Sequence, residues 1–196
     1  WLGKRGGPMP APFDRYDGVT LIVSLSALVA WVVFDGTRAA SALLLVAGAM
    51  NTVRIGRWQI QRTLAEPLVT ILHVGYGWAA LALLFLGLSG LFPESVPRVA
   101  GVHAVGAGAI GVMTLAVMTR ASLGHTGHML KAGWGTVAIY ACVNSGALAR
   151  VAAPFIEASL QTQINHIASV LWAGAFALFA FVYGPRLLAP RPDRAS

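Results

Sequence analysis

The sequence predicts an all-α protein, a polytopic transmembrane helix bundle with six transmembrane helices. Hydrophobic residues make up 57% of its 196 positions and charged residues only 11%, against about 25% charged residues in an ordinary soluble domain. The mean hydropathy of +0.69 and six long charge-free intervals give the same result. The alternation of apolar and polar residues that a transmembrane barrel requires is absent from the pattern.

The charged residues divide the chain into six apolar intervals, each of which predicts one helix. They cover residues 18–34, 39–53, 67–93, 99–119, 132–149 and 158–185. About 20 residues of helix cross the hydrocarbon core of a bilayer. The second interval is shorter than this, but it spans if Arg38 and Arg54 extend their charged groups to the two interfaces. Continuous runs of Ala, Leu and Gly favour helices over strands in all six.

The distribution of basic residues predicts the orientation of the bundle. With six alternating spans and the N-terminus inside, the inner segments hold eleven Lys and Arg residues and the outer segments hold three. Positively charged loops stay in the cytoplasm. We therefore expect a cytoplasmic segment at 1–17, a transmembrane domain at 18–185 and a cytoplasmic tail at 186–196. Topology then explains the net charge of +7, so the lipid bilayer is an expected partner and nucleic acid is not.

The composition disfavours several classes of function. The single cysteine, Cys142, excludes an internal disulfide and Cys-based zinc or iron–sulfur sites. Residues 106–111 read GAGAIG, but a nucleotide-binding fingerprint acts between a strand and a helix and not inside an apolar span. Its small residues instead predict close helix packing or the approach of a flat cofactor. The intervals contain no acidic residue, which argues against a proton pump built on buried carboxylates.

Histidines in and beside the predicted spans are the main functional signal, because ionisable residues inside a membrane are costly and usually functional. His103 and His166 lie at similar depth near the predicted outer face. His73, His125 and His128 lie near the inner face. Two layers of imidazoles are typical of a bundle that binds haem b, whose iron takes axial ligands from facing helices.

The neighbours of two histidines fit the haem interpretation. On a helix, His103 shares a face with Gly106, and His73 shares one with Tyr76. A small residue beside the imidazole leaves room for a flat ring. The alternative is a structural role, in which a neutral histidine hydrogen-bonds across helices for a gain of about 0.6 kcal/mol.

The pair His125 and His128 has two interpretations. One helical turn apart, the two imidazoles can bind copper or zinc if the helix continues through them. Gly124 and Gly127 interrupt that turn, and the alternative is a polar interfacial loop. Asparagines in or near the spans are interpreted as polar contacts between helices: Asn51, Asn144 and Asn165.

Several motifs, in order over most of the chain, resemble the NnrS family of bacterial membrane proteins. They are RIGRW at 54–58, EPLVTILHVGYGW at 66–78, VHAVGAGAIGVMTLAVMTRASLGHTGH at 102–128 and LWAGAFALFAFVYGPRLLAPRPD at 171–193. The resemblance implies a polytopic inner-membrane protein that contains haem and copper and acts in nitric-oxide metabolism or resistance to nitrosative stress. The chain resembles the C-terminal half of the family, because the histidine motif of the other half, which resembles HAHEM, does not occur in it. The N-terminal half is therefore an expected partner.

The resemblance places three candidate ligands of haem or copper in family motifs, namely His73 in LHxGYxW, His103 in HAxxxGAxG and His125 in SLGHTG. Tyr76 and Gly106 complete the candidate cofactor-binding set. His128 departs from the pattern, because the family commonly has Arg at that position. The family carries no well-defined reaction, so the question of enzymatic activity stays open.

The leading prediction is an integral membrane haem protein, with copper as a second metal, that acts in nitric-oxide metabolism or nitrosative-stress resistance in the bacterial inner membrane. Nitric oxide or a related small molecule is the expected ligand, since a buried haem suits a small, nearly apolar molecule that dissolves in lipid. One alternative is a b-type electron-transfer cytochrome whose six-coordinate haem ignores nitric oxide. Another is half of a membrane transporter with structural histidines and no haem absorption.

Overall fold

The computed structural model describes residues 9–190, and six long helices form most of this part of the chain. The helices are α1 Arg15–Val33, α2 Arg38–Gly56, α3 Pro67–Leu91, α4 Arg98–His125, α5 Trp134–Ala152 and α6 Ala158–Leu188. Each is long and apolar enough to cross a membrane. No strand occurs between residues 9 and 190. The predicted all-α fold with six transmembrane helices is confirmed.

Local sequence explains where the first three helices begin. At the start of α1 the Asp14 side chain accepts from the backbone N–H of Asp17, and the Asp17 side chain accepts from the backbone N–H of Asp14. At the start of α2 the Thr37 hydroxyl accepts from the N–H of Ala40. Pro67 occupies the first turn of α3, where a missing N–H removes no helical hydrogen bond. These caps lie close to the ends of the apolar intervals.

The fourth helix runs further than its charge-free interval. It continues to His125, and it ends because Gly127 adopts the left-handed backbone conformation, with a φ of 74°. The N–H of His128 then donates to the carbonyl of Leu123 at 3.0 Å. The helix therefore stops between His125 and His128, and the two imidazoles do not lie one turn apart on a continuous helix.

A π-helical segment, Ala104–Ile110, interrupts α4 within the GAGAIG sequence. A Cβ added at Gly108 would lie 2.5 Å from Cε3 of Trp78, and one at Gly111 would lie 2.6 Å from Nε1 of Trp172. Both glycines therefore admit an indole ring from a neighbouring helix against the backbone. The predicted close packing at this sequence is confirmed, and π-helical segments occur frequently at functional sites.

Two hydrophobic clusters share α3. The smaller cluster joins Ala27 of α1 and Leu44 of α2 to Leu86 of α3. The larger cluster joins α3 to the last three helices, with Leu115 of α4 and Val143 of α5 completely buried. The third helix thus connects a three-helix unit, α1 to α3, with a four-helix unit, α3 to α6.

The two ends of the bundle differ in charge. We call the end that holds the starts of α1, α3 and α5 the basic end, because the basic residues concentrate there, and the other the opposite end. The cytoplasmic location of the basic end stays a prediction. The predicted cytoplasmic segments at 1–17 and 186–196 lie partly outside the described residues, which begin at position 9 and stop at 190.

Candidate functional site

A cleft near the opposite end, between α4, α5 and α6, contains the predicted ligand His103. Its volume is about 550 Å³, within the range of about 300–1,000 Å³ that is usual for ligand pockets. We call it the His103 cleft. One imidazole, one guanidinium, one indole and one hydroxyl line it among five small residues: His103, Gly106, Ala107, Gly146, Arg150, Ala168, Ser169, Trp172 and Ala173.

Small residues give the His103 cleft its shape. A Cβ added at Gly106 would meet nothing within 4 Å, so this glycine borders open space. Gly146 instead brings α5 against α6, since a Cβ there would lie 2.8 Å from the backbone nitrogen of Trp172. The Trp172 indole donates from Nε1 to the carbonyl of Ala107 at 3.1 Å, which joins α6 to the π-helical segment. Apolar space is left beside the His103 imidazole.

The His103 imidazole is half-buried. Within residues 9–190 no side chain or carbonyl forms a hydrogen bond or ion pair with it. A buried imidazole normally finds such a partner. The nitrogen lone pair of neutral His103 is therefore available to a ligand.

Arg150 is a candidate site residue that sequence reasoning missed. Its guanidinium lines the His103 cleft, and its Nη1 donates to Oδ1 of Asn165 on α6 at 2.7 Å. The interpretation of Asn165 as a polar contact between helices is thus confirmed. The sequence feature that could have revealed Arg150 is its four-residue spacing from Gly146, which places both residues on one face of α5.

His73 lies at the basic end, on the second turn of α3. Its Nδ1 is 3.1 Å from the carbonyl oxygen of Val69. A carbonyl oxygen only accepts, so Nδ1 carries the hydrogen and the Nε2 of neutral His73 keeps its lone pair. The ring meets Trp58 edge-on at 5.8 Å between centroids. Both residues line a cleft of about 440 Å³ that also includes Met9.

A hydrogen-bonded network at the basic end takes up the predicted cofactor residue Tyr76. Arg54 donates from Nε to Oδ1 of Asp17 at 2.8 Å and from Nη1 to the Tyr76 hydroxyl at 2.6 Å. The Tyr76 hydroxyl donates to Oδ1 of Asn51. Asn51 in turn donates to Ser24 at 2.7 Å. We call these five residues the basic-end network, and it joins α1, α2 and α3.

The third predicted ligand, His125, is exposed at the end of α4. It lines a separate cleft with Leu72 and Arg120. His128 uses Nδ1 in a 2.8 Å hydrogen bond with the Thr126 hydroxyl, which occupies that nitrogen locally. His166 is exposed on α6 and does not line the His103 cleft.

The structure therefore distributes His73, His103 and His125 over three separate clefts. His103 lies near the opposite end, and the other two lie near the basic end, which agrees with the two predicted layers. No group of three or more His, Cys, Asp or Glu side chains that could hold a metal ion occurs among the described residues. Of the predicted cofactor set, only Gly106 shares a cleft with His103.

Comparison with known proteins decides the family. Residues 1–191 match the family model of the NnrS protein. The chain belongs to the NnrS family. No curated protein and no solved structure matches it. The partnership of this NnrS chain with an N-terminal half stays a prediction.

The fit of this NnrS chain to haem can be judged from the donor sets of the three clefts. An axial ligand needs an imidazole nitrogen that faces open space. The His103 cleft provides one such imidazole, and Gly106 leaves room beside it. It also provides the cation Arg150, whose guanidinium suits the carboxylates of haem. The residues of the His103 cleft therefore fit a haem bound through one histidine.

Proposed function

We propose that this membrane protein binds haem b in the His103 cleft and binds nitric oxide there as part of the response to nitric oxide. The observation that carries the proposal is the His103 imidazole, which has no partner among the described residues and borders a cleft walled by Gly and Ala. Membership of the NnrS family supports the connection with nitric oxide.

The residues of the cleft have separate roles in this proposal. His103 would hold the haem iron, and Gly106 and Ala107, one turn further along α4, would leave space for the macrocycle. Trp172 and Ala168 form the wall from α6 and keep water away from the ring. When bound, a ferrous haem would supply the iron at which nitric oxide binds. The apolar surroundings admit a small molecule that dissolves in lipid.

The b-type electron-transfer alternative needs a second axial ligand. None of the other four histidines lines the His103 cleft. A six-coordinate haem at this position would need a second ligand from another part of the protein or from a partner. The described residues of the cleft offer one histidine for haem at this position.

Optical spectroscopy of the purified protein tests the proposal. We expect a haem Soret band that shifts when nitric oxide is added. The band is lost in His103→Ala and retained in His73→Ala and His125→Ala. His166→Ala is the matched control, because this exposed histidine lies on α6 near the same end of the bundle.

Three outcomes would contradict the proposal. Full haem retention in His103→Ala would remove the assigned ligand. A low-spin, six-coordinate haem that ignores nitric oxide would favour the electron-transfer cytochrome. Wild-type protein without a Soret band would favour the transporter half with structural histidines.

Copper is a second proposal, and His73 supports it best. His73, whose Nε2 keeps its lone pair, lines the same cleft as Met9, and Cu(I) suits imidazole and thioether ligands. Metal analysis of wild-type protein and of His73→Ala tests this. We expect copper in the wild-type protein and none in His73→Ala. Equal copper content in both proteins would contradict the assignment.

A further inference from the structure

Arg150 is a half-buried cation near the end of α5 whose charge no described carboxylate balances. Within residues 9–190, the salt bridges join Arg54, Arg57 and Arg98 to aspartates. Arg150 has a single hydrogen-bond acceptor in the same range, the neutral amide oxygen of Asn165, at 2.7 Å. A guanidinium has five N–H donors. The charge and most of these donors are thus left for a ligand.

The position of Arg150 gives the His103 cleft a polar end and an apolar end. On α5, Gly146 lies one turn deeper than Arg150, about 6 Å along the axis. On α4, Gly106 lies deeper in the bundle than His103. All four residues line the cleft. Its charge thus lies toward the opposite end of the bundle, and its glycines lie toward the interior.

We propose that Arg150, positioned by Asn165, binds the carboxylate groups of an amphipathic ligand whose apolar body enters the His103 cleft. For the ligand of the proposed function, these groups are the haem propionates, so the inference rests on that function and deepens it. A guanidinium pairs with a carboxylate through two parallel hydrogen bonds. The Asn165 contact fixes the guanidinium before the ligand arrives, which lowers the conformational entropy lost on binding.

Lipid is the competing source of an anion near a membrane interface. A phosphate headgroup would also satisfy Arg150. The contact between the lipid phosphate and Arg150 would form whether or not the haem carried free carboxylates. The experiment therefore varies the carboxylates of the porphyrin and the cation separately.

The test compares the affinity of detergent-purified protein for haem b and for haem b dimethyl ester, which has no free carboxylate. The variants are Arg150→Gln, Arg150→Lys and Asn165→Ala. The control is Arg38→Gln, which removes an exposed cation from the same end of the bundle. Circular dichroism and the thermal midpoint establish that each variant is folded.

We expect Arg150→Gln to lower the affinity for haem b about ten- to hundredfold. Its affinity for the dimethyl ester should equal that of the wild type. Arg150→Lys should retain part of the affinity for haem b, and Asn165→Ala should lose part of it, again only for the porphyrin with free carboxylates. Arg38→Gln should bind both porphyrins as the wild type does.

Two results would overturn the inference and leave the proposed function standing. In one, Arg150→Gln binds haem b as tightly as the wild type, as expected if Arg150 contacts lipid phosphate. In the other, it weakens both porphyrins equally, as expected if Arg150 only supports the fold. Failure of the proposed function is distinct, because the wild type and Arg38→Gln would then bind neither porphyrin.

Discussion

The basic-end network and the His103 cleft place the same kinds of side chain in an apolar bundle but satisfy them differently. In the network, Arg54 meets a carboxylate and a hydroxyl, and its guanidinium lies 5.2 Å from the centroid of the Trp58 ring. In the cleft, Arg150 meets one neutral amide. His103 meets no partner among the described residues. In the network the polar side chains have partners within the protein, whereas in the cleft donors and acceptors of two side chains remain without one among the described residues.

We interpret this difference as the one between structural polar groups and candidate ligand-binding ones. Burying a charge or a polar group without a partner costs free energy, and in a membrane no water is at hand to offset it. When the side chains of a network are each other's hydrogen-bond and ion-pair partners, they stabilise helix packing and leave no donor or acceptor for a ligand. A cleft that leaves an imidazole and a guanidinium unsatisfied keeps that cost until a ligand binds. Hydrogen-bond and ion-pair partners of the described side chains are therefore a sharper criterion for a candidate site than a count of histidines.

The largest expected effect comes from breaking the buried ion pair of the network. Arg54→Met leaves Asp17, 7% exposed at its side chain, with the longer 3.6 Å contact to Arg57 as its remaining ion pair. We expect the free energy of unfolding in detergent to fall by about 3–5 kcal/mol. The matched variant Arg98→Met breaks an ion pair with both side chains about half exposed, and should lower the free energy of unfolding far less, because exposed ion pairs contribute little.

The same pair of variants tests the comparison directly. Folded Arg54→Met should bind haem as the wild type does, because the basic-end network lies away from the His103 cleft. Equal losses of stability in Arg54→Met and Arg98→Met would show that the network is not the closed, buried structure described above.

The next effect separates two glycines of the π-helical segment. Gly108→Leu places a side chain against Trp78, where even a Cβ would approach within 2.5 Å of the ring. We expect a loss of about 1–3 kcal/mol in the free energy of unfolding. Gly106→Leu enters open space, so it should leave the fold intact and block haem binding. Equilibrium unfolding and the Soret absorbance measure the two effects.

Gly174→Leu is the control for the glycine comparison. Gly174 is also helical and a Cβ added there meets nothing within 4 Å, but it does not line the His103 cleft. It should bind haem normally. If Gly106→Leu retained haem as Gly174→Leu does, the open space at Gly106 would not belong to the cofactor site.

A smaller effect is expected from Tyr76→Phe, which removes one hydroxyl from the network. The hydroxyl accepts from Arg54 and donates to Asn51, so its loss should cost about 1 kcal/mol. The optical spectrum of bound haem should not change, because Tyr76 does not line the His103 cleft. An altered spectrum with unchanged stability would return Tyr76 to the predicted cofactor set and blur the distinction between the two regions.

The helices were predictable because they depend on one large free-energy term, the exclusion of charge from the apolar phase. Cutting the chain at its charged residues placed the end of α4 too early, because the charge-free interval ended just before Arg120. A single interfacial arginine does not end a helix, and the chain continues until the left-handed Gly127. The asparagine contacts were also predictable in kind. Asn144, for example, accepts from Nε1 of Trp78 at 3.0 Å.

The site was predictable only in part. Depth along a helix follows from residue number, so the separation of His103 from His73 and His125 was correct. Rotation around a helix axis and the packing partner of each face do not follow from depth. The sequence therefore did not reveal that these three histidines line three clefts. Arg150 was missed because a charged residue was treated as the limit of a span, although its side chain turns into the bundle.

The smallest expected effect concerns Asp35, in the loop between α1 and α2. The Arg98 guanidinium, with Nη1 at 2.8 Å from Oδ2 of Asp35, holds the pKa of this carboxyl below its usual value of 3.8. Because the folded pKa is lowered, the stabilisation is fully present above the unfolded value and is lost as the pH falls through the lowered one. We expect wild type and Asp35→Asn to differ slightly in thermal midpoint at about pH 5 and to converge only once the pH is below the lowered pKa. Added salt should also reduce the difference, since the pair is exposed and screened. A difference that persisted in acid would have to come from packing of the loop, and the pair could then no longer serve as the exposed counterpart of Arg54 and Asp17.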